Sequence, residues 1–377
     1  MSRNAVRTPP FSDFVVVGAG LVGASIAWGL ARAGANVIIF DAGEDRMHAS
    51  AGNFGLVWVQ GKGATEPDYA RLTRRSAEAW AAFAEDLAPS DHLQHQQCGG
   101  VKIALSDEEL SRFSTAMERH HNNPDFIDND TRLIDQKELR ELIPSIGPDA
   151  VGGTWCPHDG HADSLATLQA LHRKLEQHPQ VSVVRQRVEN VDPSLSSARF
   201  SLTAAGAHLF TDHLVLAAGL GNLALAHKLG LQAPIRPERG QILVTERAPT
   251  FLNVACHNVR QTGDGTVLLG DSHEDVGLDT AVTQQVTQAI LRRAVRTFPH
   301  LAQLRLQRTW GALRVLSPDG LPIYQCSKTY PGASLITCHS GVTLAAAHAS
   351  EVADALLSDR LNETYPSFST ERFENVV

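Results

Sequence analysis

The sequence predicts an α/β protein of two interleaved domains, one built on a doubly wound parallel sheet and one, α+β, on a mostly antiparallel sheet. Three observations carry this expectation. The buried run Phe14–Val17 passes straight into Gly18-Ala19-Gly20-Leu21-Val22-Gly23, a strand that turns into a helix through Gly-x-Gly-x-x-Gly, and Asp41 closes the next apolar run, Asn36–Phe40. A second apolar strand, Val215-Leu216-Ala217-Ala218-Gly219, ends in small residues that let it return beside the first. Between and after these units lie β-rich stretches around 240–246 and 266–270 that read as a different sheet.

The elements follow in order. The first βαβ unit covers about 12–42, with Gly18 for the tight turn, Gly20 for close approach of a pyrophosphate and Gly23 for helix–strand packing. The pyrophosphate belongs on the N–H groups and positive dipole end of the helix, and Asp41, followed by Ala42, belongs on the adenosine ribose. A loop of small residues, Ser50-Ala51-Gly52-Asn53-Phe54-Gly55, precedes a helix from Pro67 to about Leu87. A short strand at Val101–Leu105 and charged helical stretches lead to Pro144. An amphipathic helix at 164–177, a strand at 181–184, a long helix from about 280 to 297, the segment from Trp310 to Ile323, a strand near 334–337 and a final helix from Val342 to about Ser358 complete the chain.

Composition excludes several function classes. The chain has 377 residues, enough for two cores, and a formal charge of −8 without a basic block, which argues against a nucleic-acid partner. No apolar stretch is long enough to span a bilayer, and the glycines and Pro9-Pro10 argue against reading the N-terminal apolar run as a secretory core. The five cysteines, Cys98, Cys156, Cys256, Cys326 and Cys338, are scattered, and the histidines, His120-His121 included, show no metal spacing. No metal site is expected within this chain, and a cytoplasmic location is expected.

A glycine triplet serves NAD and FAD alike, so later segments decide. In Cys338-His339-Ser340-Gly341-Val342-Thr343, a glycine stands at the mouth of a helix, and such a terminus aimed at a ring system stabilises negative charge on the N1–C2=O side of a reduced flavin. Together with Ser50–Gly55, Ala217-Ala218-Gly219, Arg239-Gly240-Gln241 and Trp310-Gly311-Ala312-Leu313-Arg314 before Asp319-Gly320, this resembles the family of FAD-dependent amine and amino acid oxidoreductases that includes D-amino acid oxidase, glycine oxidase and sarcosine oxidase. The tract Leu56–Gln60 with Pro67, Tyr69 and Ala70 is most similar to flavin subunits of opine, D-hydroxyproline or glycine-oxidising dehydrogenases. The resemblance implies a Rossmann-type FAD-binding domain in three parts, 11–78, 151–225 and 310–377, interleaved with a substrate domain at 79–150 and 226–309. It places Ser50, Asn53, Gly55, Leu56, Gly240 and Gln241 along the isoalloxazine, Val188 at the adenine, Ala218 and Gly219 beside the first turn, and His339–Thr343 at the flavin end. Relatives of sarcosine oxidase type attach flavin through a Cys that the matching stretch Gly320–Ile323 lacks, so the FAD is expected to be non-covalent.

The chemistry such a flavin performs needs a substrate C–H held at N5, a neutral amine and a cation to clamp a carboxylate. The resemblance gives the clamp to Arg314, for which the alternative is a loop salt bridge. His257, Asn258 and Arg260 fall on the strand that faces the flavin in similar proteins; glycine-oxidase-like members carry a Tyr near Asn258 that this chain lacks, which implies a different or larger substrate. His273, Trp58 and Gln60 are further candidates for the cavity wall. The expected activity is oxidation of the C–N bond of a small or N-substituted, opine-like or cyclic imino, amino acid, giving an imine that hydrolyses to an oxo acid. The alternatives are a simple glycine or D-amino acid oxidase using oxygen, an FAD enzyme acting on tRNA bases, an NAD-dependent dehydrogenase and a non-catalytic scaffold. If the chain is one subunit of a dehydrogenase, an iron–sulfur or other electron-transfer subunit is the expected partner.

Overall fold

The computed structural model describes residues 11–43, 49–88, 93–122, 128–193 and 199–374. β1 (Phe11–Val17) turns directly into α1 (Leu21–Arg32), and β2 (Val37–Phe40) follows. Both strands are buried on both faces, which a parallel sheet with helices on each side requires. β3 (Leu56–Val57) precedes α2 (Pro67–Leu87), whose residues Tyr69, Thr73, Ser76, Trp80, Phe83 and Leu87 recur every three or four positions as one buried stripe. Next come β4 (Gly100–Ala104), α3 (Asp107–His121), β5 (Arg132–Asp135), α4 (Gln136–Leu142), β6 (Gly152–Cys156) and β7 (Gly160–His161). α5 (Ser164–Gln177), capped by the Asp163 carboxylate, leads to β8 (Val181–Val184), β9 (Val188–Pro193), β10 (Phe200–Ala204), β11 (Ala207–Leu216) and a single turn, α6 (Asn222–Leu225). β12 (Arg236–Arg247), β13 (Ala255–Cys256), β14 (Val259–Gln261), β15 (Thr266–Leu269), α7 (Gln284–Thr297) and β16 (Leu306–Leu316) follow, then β17 (Ile323–Cys326) and β18 (Ala333–Thr337). The terminal helix consists of α8 (Ala345–Ala347), a π-helical turn at His348–Val352 and α9 (Ala353–Leu357), with α10 (Leu361–Thr364) after it.

The largest sheet runs β17-β18-β11-β1-β2-β8, with β10 paired to β11 and β9 to β10. Its centre is parallel, β1 lying between β11 and β2, so Val17 stands opposite both Leu216 and Phe40 at the carboxyl ends where the glycine turn begins. Ligands bind such sheets at that edge. A second, antiparallel sheet has the order β14-β15-β12-β16, and a third the order β13-β4-β6-β5. Chain segments alternate between the sheets, and the fold is the Rossmann-type domain interleaved with an α+β domain that the sequence predicts.

Two elements, α2 and β16, straddle the expected segment limits, and β6, which lies just past a third, pairs with strands from before it. α2 continues past residue 78 with its buried stripe in the core that holds α1 and the terminal helix. β6 pairs with β4 and β5, and β16 stays paired with β12 on both sides of residue 310. Two helices start later than periodicity suggests. The terminal helix begins at Ala345 because the carbonyls of Val342 and Thr343 accept from Trp80 Nε1 (2.9 Å) and Ser76 Oγ (2.7 Å) on α2. α7 begins at Gln284 because Thr283 is held extended, its N–H donating to Gln241 Oε1 at 3.1 Å.

His348 in the π-turn is completely buried, and its Nε2 meets the Tyr324 hydroxyl at 2.7 Å. Burial pushes its pKa down to about 3 from 6.5. A base depressed in the folded state contributes stability above its unfolded value and loses it as pH falls toward the folded value. His348→Gln is therefore expected to lose less Tm than the parent protein as pH falls from 6.5 toward about 3, read by thermal denaturation across that range.

Candidate FAD and substrate cleft

The glycine turn is built for close approach. Gly18 has φ +104°, and a Cβ there would sit 2.5 Å from Ala217 O at the end of β11. Gly20 brings no capping side chain to α1, and a Cβ on it would lie 2.8 Å from Ser50 Oγ, which itself accepts from Leu21 N–H at 2.9 Å. The Asp41 carboxylate accepts from Ala19 N–H (2.8 Å) and Gly43 N–H (2.9 Å), so it stands at the turn, with exposed Ala42 beside it. Val188 opens β9 in the same core as Val17, Phe40 and Leu216, with partly buried Ala218 packed against it. Asn222 Oδ1 accepts from Ala218 N–H at 2.9 Å and holds the Ala218-Gly219 corner.

A second wall comes from the loop before the terminal helix. Ser340 Oγ receives Lys62 Nζ at 2.9 Å and lies 2.5 Å from the Tyr69 hydroxyl. Gly341 lies against α1, where a Cβ would meet Val22 Cγ2 at 3.4 Å. Thr343 Oγ1 accepts from Trp58 N–H at 3.0 Å and reaches Leu56 O at 3.4 Å. Leu56 and Trp58, which follow the Ser50–Gly55 loop, are thus joined to the 339–343 loop, and α2 supports the latter. Trp310 Nε1, from β16, donates to Gly52 O at 3.2 Å and draws the Ser50–Gly55 loop against the antiparallel sheet.

The antiparallel sheet supplies the charged end. Arg314 lies on β16, opposite Glu238 of β12, and not in a loop. Its Nη2 donates to Asp271 Oδ1 (2.6 Å), its Nη1 to Ser272 O (2.7 Å) and Glu238 Oε1 (3.2 Å), and its guanidinium crosses Gly240, where a Cβ would be 2.7 Å from Nη2. His273 bridges the same two acids, 2.6 Å from Glu238 and 2.8 Å from Asp271. The hydrogen bond to Asp271 raises the His273 pKa; burial pushes Asp271 up, but His273 and Arg314 outweigh it and hold that carboxyl low. Asp271 and His339 are solvent-accessible yet surrounded by protein on most sides, which is the signature of a cleft. Desolvation, reinforced by Lys62 and Arg314, pushes the His339 pKa down to about 3, so its imidazole is neutral.

The strand facing this loop holds polar atoms with no protein partner. Arg260, 3% exposed, donates through Nη1 to Phe54 O at 2.7 Å and abuts Gly55, while its Nε and Nη2 are unpaired. Asn258 Nδ2, His257 Nδ1 and His161 Nδ1 are also buried without partners. Each such group costs about 1–3 kcal/mol unless a ligand takes it. Burial, then Lys102 and Arg293, pushes the His257 pKa down to about 3, so this imidazole is neutral as well. A glycine turn, a sheet edge with an acid beside it and a wall of unsatisfied donors beside the Asn53–Leu56 loop fit an extended dinucleotide with a polar ring system.

Some expected residues have other work. Gln241 is 1% exposed, with its amide tied to Glu274 (2.9 Å) and Thr283 (3.2 Å). Gln60 is a latch between sheets: Nε2 donates to Gly100 O (3.1 Å) and Asp159 Oδ2 (2.6 Å), and Oε1 accepts from Thr154 (2.5 Å). Asp271 and Glu238 escaped sequence reasoning, although an acid directly after Gly270, just past the end of β15, is a signal it could have used.

A model of the DAO family, FAD dependent oxidoreductase, matches residues 13–355. An opine oxidase subunit of Rhizobium meliloti is 39% identical over 369 residues, covering 96% of this chain and 98% of that protein. Its counterpart in Agrobacterium tumefaciens (strain Ach5) is 37% identical, with 96% and 97% covered. Among solved structures, glycine oxidase from Geobacillus kaustophilus superposes with a TM-score of 0.83 at 21% identity, covering 92% of this chain and 95% of that one, and so shares the fold. The glycine turn, the sheet edge and the near full-length match together place this chain in the DAO family of FAD dependent oxidoreductases.

Proposed function

We propose that this protein oxidises the C–N bond of an N-substituted, opine-like amino acid, and that Arg314, in the cleft between the 339–343 loop and the antiparallel sheet, binds the substrate carboxylate. The single observation that carries the reading is a forked guanidinium on β16 beside Gly240, in a cleft shared with the flavin-side loop. The near full-length likeness to two opine oxidase subunits supports the substrate class. Bound FAD, held non-covalently, supplies the two-electron acceptor for the hydride from the substrate carbon.

The chain's own residues supply position. Asp271 and Glu238 hold the Arg314 fork in one orientation, which limits the side-chain entropy lost on binding. The cations that depress His257 and His339, among them Lys102, Lys62 and Arg314, act on a substrate amine in the same direction and favour its neutral form. The unpaired donors of Arg260 and Asn258 are left for oxygens of the ring and the substrate to take. The same reading keeps the nucleotide and substrate segments above, with β6 and β16 on the substrate side, and sets the protein in the cytoplasm. It adds a companion electron-transfer protein, supported by the fact that two relatives are named as single subunits of a larger oxidase.

The test is product analysis. FAD-loaded protein, given an N-(carboxyalkyl) amino acid and an artificial electron acceptor, is expected to release an oxo acid and an amino acid in equal amounts with acceptor reduced. Acceptor reduction without oxo acid would contradict the reading.

A further inference from the structure

β4 has two faces with different duties. Val101 and Ile103 are fully buried in the core that the second and third sheets share with α4 and α7, so Gly100, Lys102 and Ala104 face the other way. At one end that face is covered by the segment carrying Trp58 and Gln60, for a Cβ on Gly100 would lie 2.8 Å from Trp58 Cζ3. At the other end it is covered by α3, whose Phe113 ring lies 5.1 Å from Lys102 Nζ. Lys102 stands in the gap between, solvent-accessible although enclosed by protein on most sides. The Gln60 latch that fixes this sheet to the 56–63 segment also brings Lys62 to the cleft, where it holds Ser340.

Charge balance in the cleft is uneven. Arg314 and His273 are matched by Asp271 and Glu238, whose contacts with them range from 2.6 to 3.2 Å. Lys62 and Lys102 have no carboxylate at ion-pair distance among the described residues; Asp271 and Lys62 act on Lys102 only at longer range. Two uncompensated ammonium groups facing one cleft repel each other and attract an anion that enters it.

Resting on the amine-oxidation reading above, we propose that Lys102, supported by Lys62, holds a second substrate carboxylate while Arg314 holds the first. The substrate class is thereby narrowed to a secondary amine flanked by two carboxylate-bearing arms. A glycine-sized monocarboxylate would leave both lysines unmatched.

The experiment uses the FAD-loaded protein and two thioether analogues that have no C–N bond to oxidise: thiodiacetate, with two carboxylates, and (methylthio)acetate, with one. Binding is read as the perturbation of the flavin spectrum on titration. A hydrogen-bonded ion pair sets the scale, so wild-type protein is expected to bind thiodiacetate about tenfold or more tighter. Lys102→Met is expected to erase that preference, and Lys102→Arg to restore most of it. Equal binding of the two analogues by wild-type protein, or a preference that survives in Lys102→Met, would overturn the second-carboxylate site alone. Failure of both analogues to bind would overturn the amine-oxidation reading and this site with it.

Discussion

Gly20→Val is expected to give a folded protein that emerges colourless and takes up FAD at least about a hundredfold more weakly, the loss of roughly two charge-assisted hydrogen bonds. The side chain would grow into the space between the turn and Ser50, where a single Cβ already comes within 2.8 Å of the serine oxygen. Ser50 ends in one rotatable hydroxyl, so the turn accommodates the change in the apoprotein; a pyrophosphate lying against the same backbone cannot. Gly18 makes a poorer test, because its positive φ and the nearby Ala217 carbonyl couple any substitution to folding itself. Circular dichroism separates the two effects. A Gly20→Val protein that is native by that measure and retains FAD as the parent does would contradict the placement of the pyrophosphate.

Arg314→Met is expected to lower kcat/KM by about two to three orders of magnitude, ~3–4 kcal/mol, the range for removing one member of a charged, hydrogen-bonded pair. Most of the loss should fall on substrate saturation, with the bound flavin spectrum unchanged. Arg314→Lys is expected to recover little, since an ammonium cannot serve Asp271, Ser272 O and a carboxylate with one fork. Without the guanidinium, Asp271 loses a charge that holds its carboxyl low, so the pH profile of the variant should gain an ionisation shifted upward from that of the parent. An unchanged saturation constant would remove Arg314 from the substrate site.

What was legible in the sequence was local. The phosphate turn needs its glycines at fixed spacing, so Gly18–Gly23 and Asp41 could be read directly. The stripe of α2 follows from one helical period, and its limits, Pro67 and Leu87, agree with the expectation. The partners of Arg314 were not legible, because Asp271 and Glu238 lie 43 and 76 residues away on other strands of its sheet or beside it. Gln60 was read as a cavity wall for the same reason: its partner Asp159 is 99 positions distant, and nothing local marks a latch. The late start of the terminal helix likewise depends on carbonyls taken by Trp80 and Ser76, a tertiary demand that helical periodicity does not contain.

Flavin-dependent oxidation of a C–N bond between two acid-bearing arms would show at once in the anaerobic visible spectrum of the FAD-loaded protein. The titrants are opines, iminodiacetate, sarcosine, D-proline, D-hydroxyproline, glycine and D-amino acids, with air admitted afterwards. The oxidised-flavin band is expected to bleach with the dicarboxylate secondary amines at far lower concentration than with glycine, and colour to return slowly in air, as a protein relying on a companion electron acceptor requires. A flavin that stays oxidised with every compound, or bleaches with glycine as readily as with the dicarboxylates, would contradict this reading of the reaction and its substrate.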